Sequence, residues 1–331
     1  MMVFAHVLSQ NSPQSIDQVV ASAAALVDRW VVVDVGSSEG TSADWKEAVP
    51  QEKLDFQQVA WCEDFSALRN LGLDRIDQLR EGKPCWVIWL DADNLLTNPE
   101  VWEEALEHPQ LPPVVFLPVT SAGGHDQVSS RLFRGDMGFR FTHPVNEELE
   151  TGKARAAMVW GGPGVEHTGW ATPKDWERTL RRNLGILASL PSEDPWRIEQ
   201  EVEILLKLKQ VFRAAEVASR GVSNHTTAPL TSDLCWQALI QQAGAQGNRT
   251  KVLEHALDAI KVWDRAVSAE LHGLLFKFLG LGWLFAAERD ATEKGARGEN
   301  ITLARDFAVW AEAQSLYTAG ISAFPTLSKL E

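Results

Sequence analysis

Trp86-Val87-Ile88-Trp89-Leu90-Asp91-Ala92-Asp93-Asn94 runs an unbroken apolar stretch straight into two carboxylates spaced i, i+2. A strand with one wet face alternates apolar and polar residues, whereas a continuous apolar run needs cover on both faces. That is the condition of a parallel sheet flanked by helices. Trp30-Val31-Val32-Val33-Asp34-Val35 has the same character. Residues 3–8, 54–61 and 114–119 read as further strands, and 128–133 and 154–159 as added ones. Between the first two strands Ile16, Val19, Val20, Ala23, Leu26 and Val27 recur at helical spacing, as do Phe65, Leu68, Gly72, Ile76 and Leu79 ahead of the quoted stretch. Asp64 or Ser66 stands where a cap for that second helix belongs.

From residue 174 the pattern is helical only, in runs 174–190, 196–211, 212–221, 233–245, 250–262, 267–288 and 301–323 separated by Pro, Gly, Asn or Asp. Small residues and Leu recur in 236–264 and again in 270–289, loosely in the manner of tetratricopeptide repeats, whose period is about 34 residues. The expected organisation is an α/β domain over 1–172 followed by an all-α, degenerate tetratricopeptide-like domain over 173–331.

The chain has 331 residues, 45% hydrophobic and 23% charged, the composition of a globular protein long enough for two domains. Its net charge of −14 works against a broad grip on nucleic acid. Three cysteines, Cys62, Cys85 and Cys235, are too few and too far apart for a disulfide framework or a zinc cluster, which points to a reduced, cytoplasmic setting. The apolar start, 1–8, lacks the basic region of a leader and reads as a strand. The most apolar later stretch, 274–287, is too short to span a bilayer.

Three local features carry chemistry. Asp91 and Asp93 end a buried strand, where ligands of open α/β sheets bind, and Mg²⁺ or Mn²⁺ needs only one or two protein carboxylates when a diphosphate supplies the rest. Taken alone, the pair also suits a plain strand end. The aspartyl-phosphate phosphatases share the spacing but want Thr where this chain has Leu95. Asp34-Val-Gly36-Ser37-Ser38-Glu39-Gly40-Thr41 sets an acid at a strand tip before a Gly/Ser turn, able to receive a base or ribose, or simply to turn the chain. Asp64-Phe-Ser-Ala-Leu-Arg69-Asn70 opens a helix with an arginine that suits either an anionic ligand or a surface ion pair.

In this order the three stretches resemble the family 2 inverting glycosyltransferases of the GT-A fold, in the bacterial branch that reads roughly Asp-x-Gly-Ser-x-Asp-Gly-Thr, Asp-Phe-Ser-Ala-Ala-Arg-Asn and Trp-Leu-Asp-Ala-Asp. Arg131-Leu-Phe-Arg134, Val145-Asn146-Glu147-Glu148-Leu149, Val165-Glu166-His167-Thr168-Gly169 and the helix holding Arg182-Asn183-Leu184 are similar to later segments of that branch, whose members often continue into tetratricopeptide-like helices. The likeness covers about residues 1–190.

The resemblance implies a GT-A nucleotide-diphospho-sugar transferase fold with a Rossmann-like mixed sheet and a metal-dependent inverting transfer, Mn²⁺ or Mg²⁺ being the ion and a UDP-sugar the donor. It places Asp34 at the nucleotide base, Arg69 near base or diphosphate, Asp91 at the ribose or metal, Asp93 and His167 on the ion, and Glu147 or Glu148 as general base. Asn11 alone matches the family's Lys-Asn-Glu after the first strand, and Asn146 replaces a common histidine beside the base. The helical half would take a protein or peptide acceptor, or form a homodimer contact. Two rival readings are a non-catalytic scaffold on the same fold and a phage-type glycosyltransferase acting on modified nucleic-acid bases, which the net charge disfavours.

Overall fold

A computed structural model describes residues 1–10, 16–37, 39–108, 110–121, 127–158, 163–169, 172–224 and 233–248, with scattered positions from 251 to 258. The chain runs β1 (Met2–Ser9), α1 (Ile16–Ala23), β2 (Arg29–Val35), α2 (Glu39–Ala48), β3 (Leu54–Val59), α3 (Phe65–Leu79), β4 (Cys85–Asp91), β5 (Asn94–Thr97), α4 (Pro99–Glu107), β6 (Val114–Ser121) and β7 (Gln127–Arg134). There follow the short strands β8 (Arg140–Thr142), β9 (Glu148–Glu150), β10 (Ala156–Met158) and β11 (Gly164–His167), and then α5 (Pro173–Leu187), α6 (Pro195–Lys207), α7 (Val211–Asn224) and α8 (Asp233–Ala245). The described residues fall into two compact units, one within 1–186 and one from Leu187 onward.

The main sheet has the order β3-β2-β1-β4-β7-β6-β11-β5, with β10 also on β6. The first four strands are parallel, as their apolar runs require. Beyond β4 the sheet is mixed: β7 lies antiparallel to both β4 and β6, and β11 is antiparallel to β5 but parallel to β6. The expectation of a parallel sheet thus holds for half of it. A separate hairpin pairs β8 with β9.

Alternation along the strands sorts the core into two layers. Val3, Ala5, Val7, Val32, Ile88 and Leu90 pack on one face with Ile16 and Val19 of α1, Trp45 of α2 and Trp102 of α4. Phe4, Val31, Val87 and Trp89 face the other way, onto Leu73 and Ile76 of α3 and onto Phe139 and Phe141. Each such side chain, fully buried, contributes roughly 1.5–3 kcal/mol relative to exposure. Asp64 is the cap of α3: its Oδ1 accepts from the Ala67 amide at 2.9 Å and from Ser66 Oγ at 2.7 Å. In the second unit α6 begins with the Asp194 cap and Pro195 in its first turn, and α6, α7 and α8 pack through Ile198, Val202, Ala214, Ala218, Ala238 and Ile240. Most of the helix-like run 250–262, all of the later ones and the whole second repeat-like segment lie outside the described residues. Among the described residues no helix is long and apolar enough to cross a membrane.

Gly72 lets α3 lie directly on β1, because a Cβ there would sit 2.2 Å from Cε1 of the His6 ring, which is fully buried. Gly72→Ala is therefore expected to destabilise the fold by about 1–3 kcal/mol through overpacking, despite alanine's better helix propensity. Denaturant unfolding checks this, and an unchanged or raised midpoint would show that the ring has room to move.

Candidate functional site

The parallel registers bring the carboxyl ends of the first strands level: Ser9 lies beside Asp34, Asp34 beside Gln58, and Leu8 beside Asp91. This is the edge at which open α/β sheets bind ligands. After β4 the chain turns tightly. The Asp91 amide donates to Asn94 Oδ1 at 3.1 Å, and Asn94 Nδ2 donates to Asp93 Oδ1 at 3.1 Å. β5 then pairs with β11 so that Asn94 stands opposite His167, and the Thr168 amide and hydroxyl both donate to the Asp93 carbonyl at 2.9 Å.

That pairing brings together the two acids and the histidine, more than seventy positions apart in the chain. Asp91, Asp93 and His167 each offer a ligand atom, all within 4.8 Å of one another, and His167 Nε2 stands 3.8 Å from Asp93 Oδ1. Gly169 leaves space for the group, since a Cβ there would lie 1.9 Å from Asp93 Oδ2. Two carboxylates and an imidazole in such a cradle fit a divalent cation. The Gly169 amide donates to His167 Nδ1 at 3.1 Å, so in the neutral ring Nε2 carries the hydrogen. Ligation through Nε2 requires Nδ1 to take that hydrogen and release Gly169. Burial raises the Asp93 carboxyl, with His167 acting against the rise and Asp91 adding to it.

Arg69 organises the other side. It is 3% exposed, its Nη2 donates to Asp91 Oδ1 at 2.6 Å, and its Nε donates to Glu147 Oε1. Burial alone would lower its pKa, but the two carboxylates more than offset this. Arg131 reaches the same acid from β7, with Nη1 donating to Asn94 Oδ1 at 2.9 Å and lying 3.8 Å from Asp91 Oδ2. Both guanidiniums lie over the Trp89 ring, at 4.1 Å and 3.6 Å from its centroid. Burial would raise the Asp91 carboxyl on its own, yet Arg69 and Arg131 hold it well below the usual carboxylate range. Burial, with Arg69 adding to it, brings Arg131 down to about 10, against the pull of the acids.

Glu147 arrives on the connection of the β8–β9 hairpin, and α3 clamps that hairpin at several points. Asn70 Nδ2 donates to the Phe141 carbonyl at 2.9 Å, while Asn70 Oδ1 accepts from the Phe141 amide at 2.8 Å. The Phe65 amide donates to the Pro144 carbonyl at 3.0 Å. These bonds hold a turn in which His143 and Asn146 adopt left-handed φ of 70° and 47°, a conformation asparagine tolerates better than most residues. The segment from Asp64 to Asn70 is thus a clamp as well as a source of charge.

The other expected positions lie as follows. Asp34 is fully buried and accepts from Ser37 Oγ at 2.6 Å and from Gln58 Nε2 at 3.5 Å. The Glu148 side chain is exposed. Asn11 lies outside the described residues. Sequence reasoning gave no role to Arg131, Asn94, Trp89 or Gly169. The available signal for Arg131 was a charge directly before the apolar pair Leu132 and Phe133, within the family-like stretch Arg131–Arg134. Gly169 was marked only as the last position of the family-like stretch Val165–Gly169, and its task depends on a side chain in a distant strand.

Among known proteins the chain matches no family model and no curated protein. Among solved structures it is similar to a protein described as a glucose-1-phosphate thymidylyltransferase from Bacillus anthracis, in complex with sucrose. The identity is 10% and the TM-score 0.26, over 36% of this chain and 56% of that one. The chain thus spans little more than half of that neighbour's length, at a likeness too distant to add to the geometry above.

His6 lies under the site with Nε2 2.8 Å from the Arg69 carbonyl, so Nε2 carries the hydrogen. Burial and then the Arg69 charge push its pKa down to about 4 from 6.5. Its contribution is fully present above pH 6.5. As pH falls from there toward 4 the unfolded chain takes up a proton that the folded one refuses, and roughly 3 kcal/mol of stability is lost across that window. His6→Gln, which keeps a donor for Arg69, is expected to flatten this part of the stability–pH curve. Equal slopes in the two proteins would show that His6 does not titrate this way.

Proposed function

We propose that this protein is a metal-dependent inverting glycosyltransferase of the GT-A, family 2 type. In this reading it moves a hexose from a UDP-linked donor to a protein, peptide or other cellular acceptor, with residues 1–172 as the catalytic domain and the helical half engaging the acceptor or a second copy. The observation that carries the reading is the convergence of Asp91, Asp93 and His167 in a cradle kept open by Gly169, at the carboxyl edge of the parallel strands and beside Glu147. The ordered motifs of the sequence support it independently.

Asp93 and His167 would hold the divalent cation with Asp91 in support, and the bound ion would supply charge stabilisation to the leaving diphosphate. Asp34, Ser37 and Gln58 stand where the base and ribose of the nucleotide would lie, joined by the hydrogen bonds that Asp34 accepts. The acceptor's oxygen, nitrogen or sulfur attacks C1 as the bond from C1 to the diphosphate breaks, inverting that carbon. Glu147 takes the acceptor's proton, and the nucleotide diphosphate leaves with the bonding electrons. Arg69 aims Glu147, and Trp89 with Phe141 screens the pair from water on the sheet side.

Calorimetry with UDP and UDP-glucose, in Mn²⁺ or Mg²⁺ and again in chelator, tests the donor site. Metal-dependent binding is expected, weakened by about tenfold or more in Asp93→Ala. A folded protein that binds no nucleotide sugar under any of these conditions would sink the enzyme reading in favour of a scaffold. Glu147→Gln preserves an acceptor for Arg69 and should still bind the donor while lowering turnover by about 10²–10⁴. Full turnover in that variant would move the base elsewhere, with exposed Glu148 next to be tried.

A further inference from the structure

Helix α5 carries three arginines, and two of them are consumed locally. Arg178 pairs with Asp175 at 2.8 Å and Arg181 with Glu177 at 2.6 Å, the i,i+3 and i,i+4 bridges of a solvated helix face. Arg182 has no carboxylate partner among the described residues. Its Nε and Nη2 both donate to Asn183 Oδ1, at 3.2 Å and 3.1 Å, and Asn183 is itself buried. Its Cζ lies 4.7 Å from the centroid of the Phe65 ring, which meets Trp61 edge-on at 4.9 Å. A buried amide and an aromatic face therefore fix the plane and position of this guanidinium, and neither cancels its charge. Holding a long side chain still costs rotamer entropy, and these neutral partners leave the charge available for something else.

The surroundings say what that is. Phe65 opens α3, whose Arg69 holds Asp91 and Glu147 about a turn further on. Burial lowers the Arg182 guanidinium while Asp91, Glu147 and Asp93 oppose that, so the same three acids lie within reach of its field. Arg69 and Arg131 pair with Asp91 and Glu147 while Asp93 has no arginine within ion-pair distance among the described residues, which leaves one carboxylate of the three in excess. A divalent cation reverses that excess and a diphosphate restores it, so a further fixed cation is needed to balance the loaded site. The exposed arginine held over Phe65 is the group that can meet a ligand arriving from solvent.

We propose that Arg182 is a donor-binding residue that engages phosphate oxygens of the nucleotide diphosphate, with Phe65 and Asn183 as its positioning residues. The proposal rests on the glycosyltransferase reading of the site. It is tested by titrating UDP and uridine, each with Mn²⁺, into the full-length protein and into Arg182→Gln, Arg182→Lys and Phe65→Leu. Arg182→Gln should weaken UDP by about tenfold or more, with a shallower loss of affinity as salt is raised, and leave uridine unaffected. Arg182→Lys should recover only part of the loss, because an ammonium lacks the planar fork. Phe65→Leu keeps the charge but removes its shelf, and should give a smaller loss of the same phosphate-specific kind. UDP affinity within about twofold of the parent in Arg182→Gln, with parent binding intact, would overturn this assignment alone. Equal losses of UDP and uridine would show a general disturbance of the site and overturn it too. A parent protein that binds neither ligand would instead remove the glycosyltransferase reading beneath it.

Discussion

The candidate site depends on a guanidinium taken out of water. Arg69 is almost wholly buried, and a buried cation is tolerable only when its charge and its N–H groups are answered. Asp91 answers from the end of β4, Glu147 from the hairpin connection, and the face of Trp89 from within the sheet. Asp91 and Trp89 belong to β4, Glu147 to the hairpin and Arg69 itself to α3, so satisfying one side chain fixes a strand end, a hairpin and a helix relative to one another. The helix is held in turn by Gly72, which lets its backbone approach β1, and by the Arg69 carbonyl, which accepts from His6. Removing either acid would leave the arginine buried beside too little negative charge, which couples the stability of this end of the sheet to the integrity of its chemistry.

The same constraint divides labour between the two aspartates. Asp91 is held ionised by Arg69 and Arg131 and is largely committed to them. Asp93 has no arginine within ion-pair distance among the described residues; its neighbours are His167, Asn94 and the Gly169 backbone, and burial raises its carboxyl. An acid whose charge is uncompensated in the resting site gains most when a cation arrives. In the proposed metal site Asp93 would accordingly be the stronger ligand of the pair, and Asp91 the residue that shapes the site around it.

How much of this was legible in the sequence follows from where each constraint acts. The strands β1, β2 and β4 are covered on both faces, which writes their burial into consecutive residues, and α3 carries its period in Leu68, Gly72 and Ile76. The short strands β5, β8, β9 and β11 have three or four residues each, too few to show alternation, and α2 offers mainly Trp45 to the core. The mixed sheet was implied by the resemblance alone, since the apolar runs spoke only for parallel strands and strand direction is set by connections rather than by composition. Asp91, Asp93, Arg69, Glu147 and His167 could be picked out by type and order. What lay beyond reach was who pairs with whom: Arg69 could suit an anionic ligand or a surface ion pair, and the structure shows it buried between Asp91 and Glu147.

That pairing bears on the base. Arg69 Nε donates to Glu147 Oε1, so that oxygen is engaged in the resting site and is not free to receive the acceptor's proton. For Glu147 to take a proton as the acceptor attacks, the hold of Arg69 must weaken in the same step, and Arg69 needs another anion to turn to. Asp91 already accepts from its Nη2, while its Nη1 is buried without a hydrogen-bond partner in the resting site. A donor diphosphate would bring anionic oxygens to this edge of the sheet, and drawing the guanidinium toward them would release Glu147. In that arrangement donor binding and base activation are one event, so Glu147 becomes competent only when there is a sugar to transfer, and water has less opportunity to stand in for the acceptor.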